Sequence, residues 1–123
     1  MKTAQQRGKA SREKGKRFER QVANAFKEAG YEAYRSQQFS GKNNDADVIV
    51  NLPLHVECKF VERLNIDNAM EQSIRDAREN EIPIVVHKKS RKQMLVTMRW
   101  DDFLKLISSG NAEYMVTSTV ENS

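Results

Sequence analysis

A chain of 123 residues with a single cysteine, Cys58, holds one domain with a modest core and no internal disulfide framework. No apolar run approaches a membrane span, and the basic N-terminus leads into no apolar stretch, so neither anchor nor secretory signal is expected and the cytoplasm is the default location. The net charge of +4 is unevenly spread, because residues 1–20 carry +6 and the remainder −2.

In chain order, residues 1–10 lack a core pattern and read as a flexible basic arm. Such an arm suits phosphate contacts, the plain alternative being a solvated tail. Ser11 is a candidate N-cap for a first helix. Phe18, Val22, Phe26 and Ala29 then recur at intervals of three or four, and Gly30 closes the helix. Residues 32–37 read as a strand and residues 39–44 as a polar loop. Two short apolar runs follow, Asp47-Val48-Ile49-Val50 and His55-Val56-Glu57-Cys58-Lys59-Phe60, joined through Pro53, which suits a turn better than a central ladder.

A second helix is expected over residues 66–78, with Asn65 as cap and Ile66, Met70, Ile74 and Ala77 as its apolar stripe. Residues 82–88 and 93–99 read as central or near-central strands. Between them Lys88-Lys89-Ser90-Arg91-Lys92 forms a basic hairpin turn, either a phosphate grip or a solvated loop. Residues 101–107 read as a last helix capped by Asp101 or Asp102, a structural role preferred to metal binding. From Gly110 the pattern fades, and residues 111–123 form a tail in which Tyr114, Met115 and Val116 either pack on a partner or stay loose. The order α-β-β-β-α-β-β-α, with the domain over residues 11–110, predicts an α/β fold: a mixed sheet flanked by helices.

The register of the first two runs carries the chemistry. Side chains alternate across a strand, so Glu57 and Lys59 share a face about 6.8 Å apart. Pairing Val48 with Val56 puts Val48, Val50, Leu54, Val56, Cys58 and Phe60 on one apolar face. It also sets Asp47 opposite Glu57, on a face shared with Ile49, His55 and Lys59. Two carboxylates beside a lysine suit phosphodiester hydrolysis with Mg²⁺ or Mn²⁺, since hard cations take oxygen ligands. The ion acidifies a bound water, and the lysine orients or deprotonates it. Taken alone, an acid-x-Lys step is more often a solvated strand face.

The context is more specific. Lys14-Gly15-x-x-Phe18-Glu19-Arg20, then Gly30-Tyr31, Arg35, Ser40-Gly41, Asp47-Val48-Ile49-Val50 and Glu57-Cys58-Lys59 together resemble the PD-(D/E)xK nuclease superfamily. Within it the likeness is to archaeal-type Holliday-junction resolvases and their phage-borne relatives, over about residues 14–106. The resemblance implies a restriction-endonuclease-like fold and a metal held by Asp47 and Glu57. Glu19 and the main-chain carbonyl of Cys58 would assist, with Lys59 beside the nucleophilic water. It further implies DNA contacts from Arg12, Lys14, Lys16, Arg17, Arg35, Ser40 and Lys42, and a homodimer acting on branched DNA, foremost four-way junctions. Residue 46 is alanine where the superfamily's name has proline. Gln72 is a candidate for the glutamine that several of these nucleases carry on the helix after the lysine, although a surface position is the ordinary reading.

Competing assignments stay open. A nicking, flap or RNA-processing nuclease keeps the chemistry, and a non-catalytic DNA-binding module would keep only the fold. Asp45 is second to Asp47 because its parity does not face Glu57. His55 is either a general base or a hydrogen-bonded structural residue, and His87 is structural. Two histidines and one cysteine without close spacing argue against zinc. No glycine-rich phosphate loop is present, so no nucleotide cofactor is expected.

Overall fold

The computed structural model describes residues 3–37 and 45–109. Its elements are α1 (Ala4–Glu28), β1 (Ala33–Arg35), β2 (Val48–Val50), β3 (Leu54–Phe60), α2 (Ile66–Asp76), β4 (Ile82–Lys88), β5 (Leu95–Met98) and α3 (Trp100–Ser108). They match the expected order element for element. The five strands lie in chain order across one sheet, antiparallel except for the parallel β3–β4 pair that α2 connects.

The β2–β3 register pairs Val48 with Val56, as the apolar pattern requires. Val48 and Val56 are fully buried and join Phe18, Val22, Ala23, Ala33, Ile84 and Val86 in the core beneath α1. Phe18 meets Phe60 edge to face, with ring centroids 5.4 Å apart. The opposite parity, carrying His55, Glu57 and Val85, turns toward α2. There Ser73 Oγ donates to the main-chain carbonyl of Ile84 at 3.0 Å. A helix on each face encloses β3, the strand that carries the acid-x-Lys step.

Four details differ from expectation. Helix α1 begins at Ala4 rather than after Ser11, because Thr3 and Gln6 form a reciprocal capping box and few residues before Phe18 resist helix. Its buried residues all lie in the second half, so the cationic first half continues the helix beyond the core. On α2 the residues turned inward are Ala69 and Ser73, and Ile74 is exposed. Strand β5 is an edge, with Leu95 and Val96 exposed. Helix α3 has no side-chain cap; Asp102 is instead buried against Arg99, 2.7 Å from its Nε. Among the described residues no helix is long and apolar enough to cross a membrane.

Candidate active site

Three elements bring the acids together. Asp47 precedes β2, and its main chain is fixed from both sides. Its N–H donates to the Val56 carbonyl at 2.9 Å, and its carbonyl accepts from the Ser36 N–H at 2.9 Å. Its side chain is fixed as well, because the Cys58 N–H donates to Asp47 Oδ2 at 2.8 Å. Glu57 lies opposite on β3 and is 2 % exposed. Glu19 approaches from α1, one position past buried Phe18, and accepts from Arg35 Nη1 at 3.4 Å.

These carboxyls disturb one another. Burial first, then the charge of Glu57, pushes the Asp47 carboxyl up to about 7; Glu19 adds to the effect, and only the Cys58 N–H opposes it. Burial also raises Glu19 despite the pull of Arg35 and Arg20. The protonated form of Asp47 is thus favoured by its burial and by the neighbouring acids, a balance that a bound cation would reverse. The donor set therefore fits a hard divalent cation, since all the side-chain donors are carboxylate oxygens. Cys58 contributes no thiolate. Burial, with Asp47 beside it, drives its thiol well above the ordinary range.

A cleft of about 380 Å³ opens over Asp47 and Glu19, walled by Arg12, Gly15, Lys16, Arg35 and Ser36. Acids at its floor and cations along its wall suit a phosphate diester held above a metal. Lys59, two residues beyond Glu57 on β3, donates from Nζ to Gln72 Oε1 at 3.4 Å. Gln72 is half-buried, where the ordinary reading had it on the surface.

The family model described as "Phage putative PDDEXK endonuclease" matches residues 10–122. The chain belongs to this endonuclease family. Among solved structures the endonuclease is similar to Hjc of Archaeoglobus fulgidus, a Holliday junction resolvase from an archaeal hyperthermophile. The two are 26 % identical over 69 % of this chain and 72 % of that one, with a TM-score of 0.54. The restriction-endonuclease-like α/β fold follows from that likeness. No curated protein matches the chain by sequence.

Of the residues expected at the endonuclease's site, Arg12, Lys16, Glu19, Arg35 and Asp47 line one cleft. Lys14 stands off it, its Nζ 4.2 Å from the centroid of the Phe60 ring. Arg17 is exposed and does not line the cleft. Ser40 and Lys42 lie outside the described residues. Asp45 is exposed and borders a different, smaller cleft with His55, Arg78 and Glu81.

Behind Glu57 lies a cluster that the sequence only half shows. His55 Nε2 is 2.8 Å from Glu57 Oε1, and Nδ1 is 3.9 Å from Glu81. The potential ligand atoms of His55, Glu57 and Asp76 all come within 4.8 Å of one another. Burial would lower the imidazole, but its hydrogen bond to Glu57 and the charges of Glu57, Glu81 and Asp76 prevail and raise it. Alternation along β3 puts His55 and Glu57 on one face. Nothing local foretells Asp76 or Glu81, which arrive through the packing of α2 and the entry to β4. Of these acids and the neighbouring Asp47 and Glu19, only Asp47 and Glu19 line the cationic cleft.

Proposed function

We propose that the protein is a divalent-metal-dependent endonuclease that cuts branched DNA, foremost four-way junctions. The observation that carries this reading is that Asp47 and Glu19 lie at the floor of a cleft walled by Arg12, Lys16 and Arg35, with buried Glu57 acting on Asp47 from behind. Asp47 and Glu57 would hold the ion, aided by Glu19 and the Cys58 carbonyl. When bound, Mg²⁺ or Mn²⁺ makes a water nucleophilic and neutralises charge on the phosphate.

The chain's own groups do the rest. Lys59 donates to the attacking water or to the phosphate oxygen that gains charge, and Gln72 restrains its ammonium group. Arg12, Lys16 and Arg35 grip the phosphates flanking the scissile bond, with Arg35 also holding Glu19 in place. These are backbone contacts, which read DNA shape and position rather than sequence. That suits a branch point better than a base sequence. The likeness to an archaeal junction resolvase supports the same substrate. Two strands must be cut symmetrically at a junction, and a homodimer supplies two sites. Such an enzyme would act on recombination or repair intermediates in the cytoplasm.

The test is incubation with an immobile four-way junction, with Mg²⁺ and with EDTA, beside matched linear duplex and Glu57→Ala. Paired nicks near the crossover that need both Mg²⁺ and Glu57 are the expected result. Equal cutting of duplex would replace the junction with a general DNA substrate. Binding without cutting under any metal would leave a DNA-binding module.

A further inference from the structure

His55 is an expensive residue in its position. Its side chain is 2 % exposed, within β3, where main-chain pairing already fixes the strand on both sides. The parallel neighbour β4 fills the same face with Val85, and an aliphatic residue would serve packing at less cost in desolvation. Instead the fold buries an imidazole and supplies it with carboxylates. Nε2 meets Glu57 Oε1 at 2.8 Å, Nδ1 faces Glu81 at 3.9 Å, and Asp76 stands close by from the end of α2. Ser73 Oγ, 3.4 Å from the His55 carbonyl, ties the same stretch of β3 to α2.

Placed this way, His55 occupies one oxygen of Glu57, and neither residue lines the cleft of Asp47 and Glu19. The Cys58 N–H does the same for Asp47, holding Oδ2 at 2.8 Å. Each acid is thus restrained through one oxygen, and the two carboxyls also hydrogen-bond to each other.

We propose that His55 is a positioning residue that holds the Glu57 carboxylate in the orientation required to bind the catalytic divalent cation. The inference rests on the reading of Asp47 and Glu57 as metal ligands. His55 itself is not a ligand, since the nitrogen that faces Glu57 is engaged by that carboxylate. Carboxylate ligands are commonly held by such outer hydrogen bonds, and losing one weakens metal binding by about 10–100-fold.

The experiment measures Mn²⁺ binding directly, by calorimetry and by electron paramagnetic resonance, on full-length wild type and on His55→Gln, His55→Leu and Glu57→Gln. Thermal unfolding is recorded for each. Glu57→Gln should abolish tight binding. His55→Leu should weaken it by about 10–100-fold, whereas His55→Gln, whose amide can donate from a similar place, should stay within roughly 3-fold of wild type. A folded His55→Leu with wild-type affinity, next to a Glu57→Gln that has lost the ion, overturns the role of His55 alone. Wild-type affinity in Glu57→Gln overturns the metal reading of Glu57 as well. Imidazole nitrogen hyperfine coupling to bound Mn²⁺ would make His55 a ligand and so also overturn the proposal.

A second measurement needs no variant. The chain has two histidines, so an imidazole ¹⁵N spectrum of wild type contains two residues' signals. Those of His55 should shift along the Mg²⁺ binding curve, while His87, paired with Thr97 Oγ1 at 2.8 Å, serves as the unperturbed reference. Should His55 stay unmoved at saturating Mg²⁺, the proposal is wrong even where His55→Leu does not fold.

Discussion

The N–H of Cys58 donates to Asp47 Oδ2 at 2.8 Å across the β2–β3 ladder, so the strand that carries Glu57 and Lys59 also sets the carboxylate opposite them. Sheet pairing and site geometry are therefore one interaction. A slip of one residue would take Val48 and Val56 out of the core and separate Asp47 from Glu57 together. The hydrogen bond favours ionised Asp47, but burial and the neighbouring acids outweigh it and hold the carboxyl up to about 7.

That imbalance fixes a pH dependence. Asp47 keeps its proton in the metal-free folded state up to about pH 7, whereas in the unfolded chain it releases it near 3.8. Its contribution to stability is thus fully present below pH 3.8 and is lost as the pH rises through 7. Asp47→Asn removes the charge, so at pH 8 without metal the variant should melt about 5–10 °C above wild type, from a gain of ~1–1.5 kcal/mol. The gap should close by pH 4. Metal must displace the same proton, so wild-type Mn²⁺ affinity should rise by up to about tenfold per pH unit below 7 and level off above it. Calorimetric melting and Mn²⁺ titration across this range check both. A variant no more stable than wild type at pH 8 would contradict the buried-acid account.

Arg12 and Lys16 share the cleft wall with the acids, and Arg35 is already committed to Glu19. Replacing Arg12 or Lys16 with Ala should weaken junction binding evenly across sequences. Each loss should reduce the slope of log affinity against log salt by about 1. Binding measured in EDTA at several KCl concentrations separates this from any loss of cutting. An unchanged slope would remove that side chain from the phosphate contacts.

The residues differ in how plainly they announce these roles. The β2–β3 register was legible because parity, the apolar run from Val48 to Phe60 and a turn at Pro53 admit the same solution. The inward face of α2 was not. Apolarity points to Ile74, yet Ser73 turns inward because its hydroxyl finds the Ile84 carbonyl, a partner that exists only after α2 has packed on β4. Gln72 moves with that rotation from the surface to Lys59. The β5 sequence is apolar enough for a central strand, and only the order of strands reveals it as an edge. His55 was visible as a neighbour of Glu57, but its carboxylate partners Asp76 and Glu81 come from elements distant in sequence.

Phe18 joins fold to site. It is 1 % exposed, packs edge to face on Phe60, and fixes the turn of α1 from which Glu19 reaches the acids. Phe18→Ala should cost about 3–5 kcal/mol, a large part of the stability of a domain this size. Phe18→Leu should cost less and keep the fold. Urea denaturation gives the energies. A leucine variant that folds normally but cuts slowly would show that the register of α1 matters to the site beyond its stability.

Lys59 and Gln72 separate chemistry from binding most directly. Lys59 Nζ donates to Gln72 Oε1 at 3.4 Å, and both are half-buried beside the acids. If the ammonium acts on the water or on the departing charge, Lys59→Met should lower the single-turnover rate by about 10²–10⁴-fold while junction affinity in EDTA changes little. Gln72→Ala removes only the neutral acceptor that restrains it, so its rate should fall by about 2–10-fold. The combined variant should be no slower than Lys59→Met alone, because Gln72 works through the lysine. Additive losses would mean that Gln72 has its own contact with DNA or water, and equal losses in affinity and rate would return Lys59 to phosphate binding.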